Sequence, residues 1–123
     1  MNKLSETQIK ALNKFQSELA KFLSSNMRNI YVTSGRSISV YTRKGIHLIN
    51  GKRRNTLDIA NISISRRGKG LGMAVVNLMH QVNPFEATYV ESILNERFGK
   101  RLLKEGWLVV KEANPLTVYK DKE

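Results

Sequence analysis

Apolar residues recur at steps of three and four through the first part of the chain, at Ile9, Leu12, Phe15, Leu19, Phe22 and Leu23, with Lys10, Lys14, Glu18 and Lys21 mostly elsewhere around the cylinder. That is the period of one helix face. Ser5-Glu6-Thr7-Gln8 has the form of a capping box, so the spacing predicts a helix over roughly 6–24, ended by Ser24, Ser25 and Asn26. The period then drops to two. Ile30 and Val32, Ile38 and Val40, and Ile46 and Leu48 alternate with polar residues, and Ser34-Gly35, Lys44-Gly45 and Asn50-Gly51 punctuate them. This predicts an antiparallel meander, with Asn50-Gly51 as its strongest hairpin signal. Basic residues collect at its predicted turns: Arg36, then Arg43 and Lys44, then Lys52, Arg53 and Arg54.

The next strand is out of phase with itself. Leu57 and Ile59 are spaced by two, as are Ile62 and Ile64, but the phase slips by one residue at Ala60-Asn61. A β-bulge there would return both pairs to one face and leave a backbone group unpaired; a strand buried on both faces would also account for the pattern. After a glycine-rich turn, Leu71, Met73, Ala74, Val75, Val76, Leu78 and Met79 predict a packed helix that Pro84 ends. Ala87 to Leu94 reads as a strand. Asn95 is then an N-cap, Glu96 lies in the first turn, Phe98, Leu102 and Leu103 give an apolar side, and Gly106 marks the stop. Trp107 to Val110 and Thr117 to Tyr119 read as closing strands around an Asn114-Pro115 turn. The fold class is α+β, and with no repeat or linker the pattern predicts one domain over 1–123.

Composition narrows the chemistry. The absence of cysteine excludes disulfides, thiolate metal sites and a cysteine nucleophile, and His47 and His80 match no zinc spacing, so no metal site is predicted. No apolar run approaches the ~20 residues of a membrane span, which predicts a soluble, cytoplasmic protein with no membrane partner. The formal charge is +11. Between Arg28 and Lys69 stand ten basic residues and one acid, Asp58, a local net of +9. Such a field would attract nucleic acid, an acidic protein or a phosphorylated cofactor, or it is a solvated basic face.

The most distinctive stretch is Arg66-Arg67-Gly68-Lys69-Gly70-Leu71-Gly72. Glycines at a helix start let the backbone approach a ligand, and the free N–H groups and macrodipole favour an anion. The flanking Arg66, Arg67 and Lys69 suit a pyrophosphate. Neither a Gly-Lys-Ser/Thr P-loop nor the G-x-G-x-x-G dinucleotide spacing is present.

Two motifs at the right separation make the chain resemble the GNAT acyltransferase superfamily, as a small member with an abbreviated front end. Arg67, Gly70 and Gly72 match its Q/R-x-x-G-x-G/A pyrophosphate motif. Asn95, Phe98, Gly106 and Trp107 keep the spacing of N-x-x-A-x-x-x-Y-x-x-x-G-F, with different residues at the alanine and phenylalanine positions. The resemblance implies a central, mostly antiparallel twisted sheet with a bulged strand, splayed from its neighbour and flanked by about three helices. It also implies an acetyl-CoA-dependent N-acyltransferase that passes an acetyl group directly to an amine, on a small molecule or on a protein lysine or N-terminus. By the resemblance, the N–H groups of Arg67, Gly68, Lys69, Gly70, Leu71 and Gly72 hold the coenzyme A pyrophosphate. Ile62, Ser63 and Ile64 pair with the pantetheine arm, the bulge aims an N–H at the thioester carbonyl, and Asn95 lies near the thiol end.

Departures from the family pattern shape the remaining expectations. The usual general-acid tyrosine falls at Leu102, which has no proton to give. Tyr89 and Tyr119 are candidate substitutes, or packing residues. Asp58 is the first choice of general base, with Glu91 second and arginine pairing or a water chain as alternatives; His80 reads as a surface residue. The rival reading is an inactive GNAT-like module whose basic meander binds nucleic acid or an acidic protein. Relatives pair through the sheet edge or C-terminal strands, which makes a homodimer an expectation.

Overall fold

The computed structural model describes residues 4–65, 70–111 and 113–122. The order is α1 (Glu6–Ser24), β1 (Asn29–Ser34), β2 (Ile38–Ile49), β3 (Lys52–Ile64), α2 (Leu71–Val82), β4 (Ala87–Ile93), α3 (Glu96–Lys104), β5 (Leu108–Val109) and β6 (Leu116–Asp121). The six strands form one sheet in the order β1-β2-β3-β4-β6-β5. Every neighbouring pair is antiparallel except β3 and β4, which run parallel across the α2 connection.

The capping box forms as the sequence predicts. Gln8 N–H donates to Ser5 Oγ at 3.1 Å, and Ser5 N–H donates to Gln8 Oε1 at 2.9 Å. Phe15, Leu19 and Phe22 on α1 are buried against the sheet face that also carries Val40, Leu57, Ile59, Val90 and Val118. Met79, Val75 and Val76 of α2 and Leu102 of α3 enter the same cluster. Each such side chain contributes about 1.5–3 kcal/mol relative to exposure. No described helix is long and apolar enough to cross a membrane.

The phase slip is a bulge. Thr42 lies opposite Ile59 and Tyr41 opposite Asn61, so Ala60 has no register partner on β2. The extra residue returns Ile62 and Ile64 to the core side already occupied by Leu57 and Ile59. A second irregularity, unmarked in the sequence, lies on β4. Its register against β6 shifts between Val90 and Ile93, where Ser92 takes φ +54°. The β3–β4 ladder runs only from Thr56/Ala87 to Ile59/Val90. Both strands therefore kink just past their last shared pair, and they part.

Three expectations are corrected. Lys44-Gly45 makes no turn, because β2 runs unbroken from Ile38 to Ile49 and folds back only at Asn50-Gly51, both with positive φ. Gly45 meets a spatial need instead, described below. Arg43 and Lys44 consequently sit within a strand, and Ile46 and Leu48, read as continuing the buried alternation, are 51% and 72% exposed on the hairpin's outer half. The predicted Trp107–Val110 strand shrinks to Leu108–Val109, with Trp107 buried. His80 is no surface residue: it is half-buried, its Nδ1 lies 2.8 Å from Thr88 Oγ1, and its ring meets Trp107 edge-on at 5.5 Å.

Candidate active site

Where β3 and β4 part, they leave a cleft of about 200 Å³, lined on one side by Ile59 to Ile62 and on the other by Val90 to Asn95, with Phe98. Beyond Ile59, β3 is still paired to β2 as far as Ile38/Ile64, but it has no ladder to β4. Main-chain groups of residues 60–64 that point away from β2 thus face the cleft without a strand partner on that side. Ile62 and Ile64 turn their side chains to the core, while Ser63 is exposed.

Phe98 joins the cleft to the start of α2. A Cβ built on Gly72 would lie 3.6 Å from Phe98 Cε1, so the first turn of α2 packs beside the cleft wall. Gly70 is the N-cap in the left-handed conformation, φ +79°, and among the described residues no side chain caps this helix end. Glycine is the residue that takes this conformation without strain. Among the described residues, the first-turn N–H groups of α2 therefore have no side-chain partner like the one Ser5 gives α1. Arg66, Arg67, Gly68 and Lys69 lie outside the described residues.

Asn95 caps α3 through its side-chain oxygen, which accepts from Phe98 N–H at 3.0 Å. Its Nδ2 amide makes no hydrogen bond with a described residue, and Asn95 is among the residues that line the cleft. Leu102, at the family's tyrosine position, is fully buried in the core.

At the apex of the V, on the sheet face opposite α1 and α2, the sheet gathers a charged cluster. Asp58 is 1% exposed. Its Oδ1 accepts from Thr56 Oγ1 at 2.6 Å, and its Oδ2 lies 2.8 Å from His47 Nε2 and 3.4 Å from Arg43 Nε. Arg43 also pairs through Nη2 with Glu91, a cleft-lining residue. His47 stacks flat on Tyr89, with ring centroids 3.8 Å apart at 9°. Burial, then the Glu91 and Asp58 charges, push the Tyr89 phenol above its ordinary value, while Arg43 pulls the other way. Tyr89 therefore holds its proton through the neutral range.

The fold thus brings together three of the sequence's candidates, Asp58, Glu91 and Tyr89. It excludes Tyr119, which is buried, accepts from Asn50 Nδ2 at 3.2 Å and lies under the Arg54 guanidinium. It adds three residues that sequence reasoning passed over: His47, Arg43 and Thr56. One atom each of His47, Asp58 and Glu91 lies within 4.8 Å of the others. This is a grouping metals use, but here the cation between the two carboxylates is the Arg43 guanidinium. Gly45 makes the cluster possible. A Cβ at position 45 would stand 2.6 Å from Asp58 Oδ2, so the strand carries glycine where the carboxylate must pass.

No protein-family profile matches the sequence, and no curated protein matches it. Solved structures do match. A tyrosine-to-phenylalanine mutant of the toxin AtaT, bound to the C-terminus of the antitoxin AtaR and acetyl-CoA, superposes with TM-score 0.57 at 15% identity over 70% of this chain. The same mutant with AtaR alone gives 0.55 at 16%. The chain spans 59% of the AtaT length in both. The KacTA–DNA complex gives 0.55 at 18% identity, covering 92% of this chain and 80% of that one. AtaT and KacT are GNAT-family acetyltransferases, and the six-stranded, splayed sheet with its three flanking helices gives this chain a GNAT-like fold.

Proposed function

We propose that the chain is an acetyl-CoA-dependent N-acyltransferase acting by direct transfer to an amine. The observation that carries this reading is the cleft, where two strands part at paired irregularities beside a helix that starts at a left-handed glycine. The acetyl-bound neighbour AtaT supports the cofactor assignment, and the residues present fit it. Gly70, Leu71 and Gly72 offer N–H groups at the start of α2 to a diphosphate, and the sequence motif adds Arg67, Gly68 and Lys69, which lie outside the described residues. Residues 60–64, including Ile62, Ser63 and Ile64, offer an unpartnered strand edge to the pantetheine amides. Asn95, a cleft-lining residue, would contact the thiol end.

Bound acetyl-CoA supplies an acyl carbon activated as a thioester. The bulge at Ala60 supports a main-chain donor there, where charge would develop on the carbonyl oxygen as an amine attacks. Tyr89, protonated in the neutral range and part-buried beside Glu91, takes the acid role that Leu102 cannot fill. The contacts of Asp58 with Thr56, His47 and Arg43 favour a role in which it acts through a neighbour over direct removal of the amine proton.

Calorimetric titration with coenzyme A tests the reading: saturable binding is expected, and an absence of heat overturns it. Mass spectrometry of acetyl-CoA reactions with candidate small-molecule, lysine and N-terminal amines then identifies the acceptor.

A second reading is favoured by Leu102, whose burial removes the family's usual acid, and by the exposed Arg28, Arg36, Lys52 and Arg53. It holds that the basic face docks nucleic acid or an acidic protein, either as the sole activity or to deliver the acceptor. The neighbours' complexes with DNA and with an antitoxin segment support a partner of one of these kinds. Steep loss of duplex binding between low and moderate salt is its signature.

A further inference from the structure

We propose that His47 is the general base of the acyl transfer and that Asp58 is the residue that positions it, an inference that rests on the acyltransferase reading above. The geometry is that of a dyad. His47 Nε2 lies 2.8 Å from Asp58 Oδ2. An ionised carboxylate can only accept, so the neutral ring carries its proton on Nε2 and presents the Nδ1 lone pair away from Asp58. Asp58 is buried to 1% and its other oxygen is held by Thr56, which fixes the carboxylate. The flat stack on Tyr89 fixes the plane of the imidazole. His47 itself keeps a quarter of its side chain exposed, 25% against 2% for Asp58.

Position completes the case. A ring nitrogen of His47 lies within 4.8 Å of a Glu91 carboxylate oxygen, and Glu91 lines the cleft. His47 therefore adjoins a side chain that lines the cleft. The ionisable groups around it are Arg43 on its own strand, Asp58 and its register partner Arg54 on β3, and Tyr89 and Glu91 on β4. Arg54 pairs with Asp121, and Arg43 with the two carboxylates.

In the step, the amine nitrogen bonds to the acyl carbon and the carbon–sulfur bond breaks with its electron pair on sulfur. The proton displaced from nitrogen passes to His47 Nδ1, and from there to water. The sulfur takes its proton from Tyr89, which recovers one from water. Asp58 stabilises the imidazolium formed and holds the ring in the useful tautomer, as orienting carboxylates do.

The test uses the full chain, first without any acceptor. Long-range ¹H–¹⁵N correlation should show neutral His47 protonated on Nε2, and Asp58→Asn should disturb that tautomer. A proton on Nδ1, or a ring still doubly protonated at about pH 8.5 against an ordinary histidine value of ~6.5, overturns the dyad. Thiol release from acetyl-CoA with glycinamide in excess is the second readout. His47→Ala should lower it by about 10²-fold to 10⁴-fold with coenzyme A affinity unchanged, and added imidazole should restore part of it. Release by wild type no faster than by His47→Ala overturns the dyad, including the case in which both stay at background. Failure of wild type to bind coenzyme A sinks the acyltransferase reading itself, so the two failures are distinguishable.

Discussion

The alanine substitution of Gly45 tests whether the charged cluster is as tightly built as its distances imply. On an ordinary strand, Gly→Ala stabilises by about 0.5–1 kcal/mol, because glycine loses more backbone freedom on folding. At position 45 the added methyl would stand 2.6 Å from Asp58 Oδ2 and 3.1 Å from both Cγ and Oδ1. The obstacle is the head group of a carboxylate buried to 1% and held by Thr56, His47 and Arg43, so it cannot swing aside without breaking those contacts. Overpacking costs about 1–3 kcal/mol, and loss of a hydrogen bond to a charged group costs ~1.5–3 kcal/mol more. The clash exceeds the entropic gain, and Gly45→Ala should destabilise by about 1.5–5.5 kcal/mol in net. For a domain of this size that corresponds to a fall in Tm of roughly 3–5 °C per kcal/mol. The diagnostic assay is a thermal or denaturant double-mutant cycle with Asp58→Ala. With the carboxylate gone, Gly45→Ala should become neutral or stabilising, giving a coupling of at least about 1 kcal/mol. A Gly45→Ala protein that melts at or above wild type, or the same loss in both backgrounds, would refute the argument.

The remaining predictions concern other parts of the site. Leu102→Tyr, which restores the family's residue, should destabilise by about 1–3 kcal/mol and leave turnover no higher, because the position faces the core and not the cleft; a stable, faster variant would contradict this. Asn95→Ala should cost about 1 kcal/mol through the lost cap on α3 and should weaken coenzyme A binding in calorimetry. Burial first, then Lys122 and Lys120, lower the His80 pKa from its ordinary 6.5. The folded state therefore resists protonating it, so its contribution to stability is present above that value and is lost as pH falls through the lowered one. Denaturant titrations should show His80→Gln losing stability less steeply than wild type across that acid window.

Much of the fold was legible because local chemistry decides it. The capping box at Ser5, the three-and-four spacing of α1, the left-handed Asn50-Gly51 turn and the slip at Ala60 are each written within a few adjacent residues. The site was legible only in part, since its members meet across strands. Asp58 could be named as an isolated acid, but its partners depend on register. The signal for them was present in the hairpin. Counting outward from Asn50-Gly51 one residue per strand puts His47 opposite Arg54, Gly45 opposite Thr56 and Arg43 opposite Asp58. Reading Lys44-Gly45 as a turn breaks that count, and with it the link between His47 and Asp58. A glycine between alternating residues reports either a turn or a close approach, and only the carboxylate across the ladder tells which.

The same register changes what the positive charge means. Ten basic residues against one acid between Arg28 and Lys69 suggest a continuous cationic face. Three of them are engaged inside the structure. Arg43 joins Asp58 to Glu91, Arg54 pairs with Asp121, and Lys44 donates to Ser25 O at 2.6 Å while lying over the Phe22 ring. These charges hold β2, β3, β4, β6 and α1 in place and are spent at short range. Arg28 and Arg36 beside β1 and β2, and Lys52 and Arg53 past the hairpin turn, are exposed and make no ion pair with any described residue. A polyanion would therefore meet separate basic points at the strand ends, while the centre of that sheet face presents the Arg43, Asp58 and Glu91 cluster with His47 and Tyr89. On this arrangement attraction and chemistry are assigned to different residues, so charge reversal at Lys52 and Arg53 can alter docking without touching the groups that move protons.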